Sequence, residues 1–564
     1  MSQNLRTRLF LIFTIVLLGL LIWSKWQESL NPKSVAAPVV QSTTLLSSAQ
    51  TTPGQAHQTQ TADRSLTSST PGQVKGGTVS VNTDVLNLKI DLHNGNIMSA
   101  SLLKYPQTLG SLTPVELLYQ SDSGQYIAET GLLGLGDLAY TASQSDFALG
   151  KATDQVSVQL KAVKNGLVIL KTYTLNRGSY DIDVSYSISN ASHAIWQGQL
   201  YGQLVRTPPG KHETLYSQLA TFLGGVISTP ESHYQSLSFS KMTKSPLSTS
   251  GDSGWAAMVE HYFISAWIPD ASKEANNFYA KDYGDKNYGV GSISPMITVK
   301  PSETVKMGGH FYIGPTVTDN LNQAAPYLSL TIDYGWLWFI AKYLFVVLDF
   351  IENIVGNWGW SIVIITLLIK GIFFPLSHKS YSSMAKMRLL QPKLKLLQEQ
   401  HAGDRPALQK AMMALYSKEQ VNPLGGCLPI VIQIPIFIAL YWMLMASVEL
   451  RQAPFIGWIH DLSAHDPYYI LPVLTGGLML MQQILGPKPP DKTQMYVMMS
   501  MPIVFMVFML KLPAGLGLYM VVNIGVSIAQ QWLIIRMTGS QSNINKQDKA
   551  NKAKAWNLLK NKKK

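Results

Sequence analysis

Between Trp336 and Arg536 the chain is dominated by apolar runs about as long as a bilayer is thick: Trp358 to Leu376, Leu424 to Val448, Tyr468 to Leu485, Met495 to Leu510 and Ala514 to Ile535. Hydrocarbon offers no water to unpaired backbone groups, so such a run crosses it only as an α-helix or as part of a closed barrel. Lengths near the ~20 residues of a helical span favour the helix. Pro429, Pro435, Pro472 and Pro502 fall within or near the run starts, which membrane helices tolerate better than soluble ones. A further run, Leu9 to Trp23, follows Arg6 and Arg8 and is bordered by Trp23, Lys25 and Trp26. No small-x-small site follows it directly, so it reads as an uncleaved anchor rather than a signal peptide, giving six expected transmembrane helices. Gly335 to Val355 differs, because Lys342, Asp349 and Glu352 line one helical face while Trp336, Trp338, Phe339 and Phe345 supply aromatic contacts. That pattern predicts an amphipathic helix lying in the outer interface.

The rest of the chain has another character. Only 14% of residues are charged, a figure that averages an apolar part and an ordinary soluble part from Lys75 to Ala325. In the soluble part Ile182, Val184, Tyr186 and Ile188 alternate with Asp181, Asp183, Ser185 and Ser187, the period of a strand with one buried face. VSVQLKAV and LVILKTYTL flank Asn165-Gly166, a pair suited to the positive φ angles of a type I′ hairpin. Many such strands predict an all-β sandwich or barrel of roughly 250 residues. Glu260, His261 and scattered aspartates form no recognisable catalytic spacing there. Asn31 to Val74 is rich in Ser, Thr, Gln and Pro, with too little apolar surface to offset ordering entropy. The expected organisation is an anchor over 1–30, a disordered linker over 31–75, a β domain over 76–325 and an interfacial helix over 326–356. A helical core over 357–536, with a hairpin at 377–422, and a basic tail over 537–564 complete it.

Loop charge sets the orientation. Between Ser377 and Asn422 lie Lys379, Lys386, Arg388, Lys393, Lys395, Arg405, Lys410 and Lys418, and the tail carries Lys546, Lys549, Lys552, Lys554, Lys560 and Lys562 to Lys564. Both segments are expected on the cytoplasmic side, which places the β domain outside. The net charge of +12 thus follows from topology, and a DNA-binding reading is rejected. The hairpin is itself patterned. Met384, Met387, Leu390, Leu394 and Leu397 form an apolar stripe stepped at Pro392, and Pro406 opens a second helix carrying Leu408, Met412, Leu415 and Tyr416. It is either a self-packed connector or a mobile arm that meets lipid, span or client, with Met384, Met387, Met412 and Leu415 as the expected contacts.

One cation interrupts the apolar runs. Lys370 sits inside WGWSIVIITLLIKGIFFPL with no acidic residue in the neighbouring runs to neutralise it. A charge at membrane depth costs roughly 2.5–3.5 kcal/mol on insertion scales, so it usually faces water, protein or substrate. Snorkelling remains open, since at 1.5 Å per residue Lys370 lies about 9 Å from the end of the run. Gly359, Thr366, Lys370 and Ser377 nevertheless share one helical face. Tyr519, Asn523, Ser527 and Gln530 recur at helical spacing in the last run, while Gln433 and Gln482 mark two others. Converging, these faces would enclose a wet furrow; apart, they would only glue helices together. Methionines crowd the same runs, among them Met443, Met479, Met498 and Met506, and suit varied apolar clients or simple gap filling. The single cysteine, Cys427, excludes an intrachain disulfide and multi-cysteine zinc. No phosphate-binding loop, metal cluster or Ser-His pairing lies near the runs, so no cofactor is expected. A small-molecule or ion transporter using the furrow is the alternative class, although the internal repeats common in transporters are not found.

The stretches TLLIKGIFFPLSHKSYSSMAKMRLLQPKLKLLQ, MMALYSKEQVNPLGGCLPIVIQIPIFIALYWML and SVELRQAPFIGWIHDLSAHDPYYILP closely resemble the bacterial YidC membrane-protein insertases. The match is nearly continuous from Gly335 to Arg536 and looser over the anchor, linker and β domain. The resemblance implies a polytopic α-helical membrane protein of the Gram-negative inner membrane. It would have a five-helix insertase core and a periplasmic all-β domain resembling a supersandwich. It also implies insertion of nascent membrane proteins, alone or beside the Sec translocon, through a hydrophilic groove and without covalent catalysis. The tail lysines are expected to hold ribosomes, whose RNA is a dense polyanion. The family's groove cation is usually arginine, and the matching position here is Lys370, which keeps the charge and loses the bidentate fork. Met520 stands beside Tyr519 where relatives often carry another aromatic residue.

Overall fold

The computed structural model describes residues 74–75, 77–209, 222–272, 274–401, 403–419, 421, 428–486 and 492–538. The expected anchor over 1–30, nearly all of the linker over 31–75 and the tail beyond Thr538 lie outside the described residues.

Alternation of apolar and polar side chains builds the first half of the molecule. The strand Asp181–Asn190 buries Ile182, Val184, Tyr186 and Ile188 and pairs antiparallel with Leu167–Asn176 on one side and Thr304–Pro315 on the other. Gln155–Lys164 and Leu167–Asn176 form the expected hairpin, with Asn165 at φ 53° and Gly166 at φ 75° supplying the turn. Such pairings extend into a ten-stranded and an eleven-stranded sheet, antiparallel except where Ser80–Asn82 runs beside Asp146–Ala148. Polar contacts tie the sheets across their core, among them those made by Trp267 and Lys171. Trp267 Nε1 donates to Ser292 Oγ at 3.0 Å. Lys171, with 0% exposure, donates to the carbonyls of Gly95 at 2.6 Å and Thr130 at 2.9 Å. The rings of Tyr140, Tyr173 and Tyr186 surround its Nζ at 6.0, 5.2 and 5.4 Å. Burial holds this amine well below the usual lysine range, while Glu129 and Asp91 pull weakly the other way.

Helices dominate the second half. Two short ones, α1 (Phe239–Lys244) and α2 (Thr318–Ala324), belong to the β domain. There follow α3 (Trp338–Val355), α4 (Trp358–Ile372), α5 (Phe374–Leu389), α6 (Gln391–Gln400), α7 (Arg405–Lys418), α8 (Leu428–Ala446), α9 (Ile470–Leu485), α10 (Lys492–Met509) and α11 (Ala514–Thr538). On α3, Ala341, Phe345, Leu348 and Ile351 are buried, whereas Trp338, Phe339, Tyr343, Val346, Phe350 and Ile354 stay exposed.

One expectation needs revision. The run Trp358 to Leu376 is not a single straight helix: α4 stops at Ile372 and α5 departs at 67°. Pro375 accounts for the break, because it has no N–H for the Gly371 carbonyl and its ring would collide with that carbonyl. Among the described residues α11 alone is long and apolar enough to cross a membrane by itself, over Ala514–Arg536. The bent α4–α5 pair passes only when taken together, and Ile432–Ala446, Ile470–Leu485 and Met495–Met509 are apolar but shorter.

Ser383–Leu424 packs as a separate unit. Within it α6 carries Pro392 in its first turn, and the Asp404 side chain caps α7 by accepting from Ala407 N at 3.0 Å. Leu390, Leu394 and Val421 are buried, Met384, Met387, Met412 and Leu415 are half-buried, and Lys393 Nζ meets Glu419 Oε1 at 2.6 Å.

The segment after α8 joins the two halves. Arg451 Nη2 donates to the carbonyls of Pro106 at 2.7 Å and Gln107 at 3.0 Å, and its guanidinium lies 5.7 Å from the Phe263 ring centre. Gln452 Nε2 adds a bond to Pro106 O at 3.1 Å, and His261 Nε2 donates to Met445 O at 2.8 Å. Glu449 sits beside this contact, and burial, with Asp349 and Asp319 nearby, pushes its carboxyl up to about 7.

Candidate functional site

Helical periodicity brings four polar groups from three helices together. Lys370, in the last turn of α4, is 6% exposed. Its Nζ donates to Ser527 Oγ of α11 at 2.7 Å and to Gln433 Oε1 of α8 at 3.3 Å. Gln433 Nε2 in turn donates to Asn523 Oδ1. Ser527 Oγ also donates to the carbonyl of Asn523, one turn back on its own helix, at 2.8 Å. Among the described residues no carboxylate lies within ion-pair distance of Lys370. An ammonium has three donors, so amide and hydroxyl partners solvate it without neutralising it.

The other expected lining residues divide. Gly359 and Thr366 are buried on the same face of α4 as Lys370, whereas Ser377, expected on that face, is buried on α5 beyond the bend. Thr366, however, turns its hydroxyl back to the carbonyl of Ile362 at 2.6 Å, so it offers little to a ligand. Tyr519 is 1% exposed and stacks on Phe437, with ring centres 6.2 Å apart, one turn outward from Asn523. Gln530 is half-buried, and its Oε1 has no partner.

Gln531 was not among the expected residues. It is 2% exposed, and its Oε1 is also without a partner. The signal was present, because Tyr519, Asn523, Ser527 and Gln531 form an unbroken i, i+4 row, whereas Gln530 lies one position off it.

Aromatic packing crowds the N-terminal end of α4. Phe455 presses on Gly359 so closely that an added Cβ would lie 2.1 Å from its ring, which leaves room only for glycine there. Trp360 meets the same ring edge-on at 5.3 Å. The acidic residues of this outer segment are engaged by their own loop. Asp461 accepts from Gln452 N, Ser463 N and Ser463 Oγ at 2.7–3.0 Å, and Asp466 accepts from Trp458 Nε1 at 3.0 Å and Leu471 N at 2.7 Å. Neither reaches the lysine.

Known proteins supply the family. The membrane protein insertase YidC of Hahella chejuensis (strain KCTC 2396) is 42% identical over 558 residues, which cover 94% of this chain and 97% of that protein. The membrane protein insertase YidC of Legionella pneumophila (strain Corby) is 43% identical over 545 residues, covering 94% and 96%. The chain belongs to the YidC insertase family. Its residues 78–347 match the family described as YidC periplasmic domain, and residues 350–541 match the 60Kd inner membrane protein family. The large β-rich half is therefore the periplasmic domain of a YidC-family protein. The C-terminal helical region carries the inner-membrane part, and the lysine cluster lies within it.

Proposed function

We propose that this protein inserts nascent membrane proteins into the inner membrane, and that the seam of Lys370, Gln433, Asn523, Ser527 and the neighbouring Gln530 and Gln531 receives the client's polar outer segment. The observation that carries this reading is a buried lysine held only by neutral side chains on two other helices. Such bonds can be exchanged for bonds to an acidic or polar client at small net cost, while an ion pair would have to be broken first. The client's apolar span then leaves along the aliphatic and methionine-rich helix faces, and its burial in lipid drives the transfer. No bond of the client is made or broken.

In this reading the anchor, α4 with the start of α5, and α8 to α11 make six spans, while α3 lies in the outer interface. Both termini face the cytoplasm. The half-buried methionines of the hairpin meet incoming clients, the tail lysines hold ribosomes, and the Sec translocon and membrane lipids are partners.

Sec-independent insertion of single-span clients into vesicles containing the purified protein tests the seam. Lys370→Arg is expected to insert normally. Lys370→Glu is expected to lower insertion of acidic-tailed clients by about tenfold or more, since at short range two like charges oppose each other by over ~1 kcal/mol even in high dielectric. Equal insertion of acidic-tailed and neutral-tailed clients by Lys370→Glu would reject electrostatic capture and return Lys370 to a snorkelling role. Solute uptake by the same vesicles in place of client insertion would favour a transporter.

A further inference from the structure

The turn between the strands Ile97–Pro106 and Pro114–Ser121 combines exposed leucines with an absence of charge. Its sequence, Gln107-Thr-Leu-Gly-Ser-Leu-Thr113, has no charged residue between Lys104 and Glu116. Leu112 is fully exposed at 102%, Leu109 is 53% exposed, and Leu103 on the adjoining strand is 42% exposed. Three other hairpin turns of the β domain carry charge: Asp122 lies in one, Lys164 borders a second, and Asp285 with Lys286 makes a third. Nor is the apolar tip a loose strand. Gln107 N donates to Thr113 O at 2.9 Å, Ser111 N to Thr108 O at 3.0 Å, and Thr113 N to Ser111 Oγ at 3.0 Å, so both leucines are held out on an ordered turn.

Its position supplies the occupant. The base of the turn is the point that Arg451 and Gln452 grip through the carbonyls of Pro106 and Gln107, and Arg451 follows α8 by only a few residues. This end of the β domain therefore faces the outer ends of the helices. There, exposed Trp360, Ile456, Tyr468 and Tyr469 form the kind of aromatic and aliphatic rim found where helices leave hydrocarbon.

We propose that the Gln107–Thr113 turn is a lipid-contacting finger, whose Leu109 and Leu112 enter the headgroup and upper acyl layer of the periplasmic leaflet. The uncharged Ser and Thr hydroxyls between them suit the ester and headgroup region, and exposed Lys104 at the root suits anionic headgroups. The finger braces the β domain against the bilayer at a second point beside the Arg451 grip. This inference rests on the membrane placement of the helices proposed above.

The full-length chain carrying Cys427→Ser and Leu112→Cys, labelled with an environment-sensitive fluorophore, provides the test in vesicles of phosphatidylethanolamine and phosphatidylglycerol. Two companions carry the label through Val473→Cys, on the exposed face of α9, or Asp285→Cys, at a charged turn. Lipids bearing a nitroxide near the headgroup are expected to quench the Leu112→Cys label by about twofold or more relative to the Asp285→Cys label, with iodide in the buffer showing the reverse order. A Leu112→Cys label that iodide quenches as freely as the Asp285→Cys label would overturn the finger. Protection from both quenchers would also overturn it, because protein rather than lipid would then cover the turn. Absence of lipid quenching at Val473→Cys would instead overturn the membrane placement itself.

Discussion

Among the described residues two lysines are buried, one in each half, and their partners differ in kind. Lys171 lies between the sheets of the β domain, bonded to two backbone carbonyls and walled by three tyrosine rings. Lys370 lies between helices, bonded to one amide and one hydroxyl at the tips of side chains. The Thr130 carbonyl belongs to the strand Gly124–Leu133 and the Gly95 carbonyl to the short turn before the strand Ile97–Pro106, so both acceptors are main-chain atoms held by the sheet, and Lys171 acts as a pin. A side-chain tip changes partner by turning about a single bond, so Lys370 can let go. Burial alone does not distinguish a structural charge from a working one; the rigidity of its acceptors does.

Substituting both lysines in the same way is the sharpest attack on that contrast. Lys171→Ala is expected to cost about 3–5 kcal/mol of β-domain stability in denaturant unfolding of the whole protein, through the cavity and the orphaned Thr130 carbonyl. Lys171→Met, which fills the volume, should cost about 1–3 kcal/mol. Unchanged unfolding in Lys171→Ala would remove the pin. Lys370→Met is expected to leave stability within about 1–2 kcal/mol, because an apolar side chain of similar shape can replace a buried charge nearly neutrally. Insertion of acidic-tailed clients should nevertheless fall about tenfold, equivalent to ~1.4 kcal/mol. A stability loss in Lys370→Met as large as in Lys171→Met, with insertion of acidic-tailed clients unchanged, would mean that the two lysines do the same job.

A further test concerns Glu449, at the contact between the halves. Its carboxyl is raised from 4.5 to about 7, so from pH 4.5 to 7 the unfolded chain has released a proton that the folded chain retains. The folded state then binds more protons, and stability must fall as pH rises through that window. The decline should amount to roughly 1–3 kcal/mol and flatten in Glu449→Gln, as read by thermal unfolding at a series of pH values. A slope identical in wild type and variant would place the titrating group elsewhere.

How much of this was legible depended on range. The alternation at Ile182 to Ile188 and the Asn165-Gly166 turn are local, and both stand in the structure as the sequence suggested. Lys370 was conspicuous because a cation is anomalous in an apolar run. Lys171 was not, although it occupies an inward position of its strand with Ile169 and Tyr173, because its acceptors lie 76 and 41 residues away. Helical spacing placed Thr366 on the right face but cannot reveal a hydroxyl that bonds back to its own helix. The bend at Phe373 escaped for a different reason. An apolar run measures length and not direction, so the corner at Pro375 was not legible in it.

That corner has a mechanical consequence. α4 has 15 residues and α9 has 16, so each rises only ~22–24 Å, less than the ~30 Å thickness of a hydrocarbon core. With these helices in a membrane, the mismatch falls on the lipid, which must thin around them at a modest cost per ångström. On the reading proposed above, a client segment crossing beside Lys370 would meet a narrower apolar barrier than the surrounding bilayer presents. By ending α4 early, Pro375 shortens the journey as well as placing the charge.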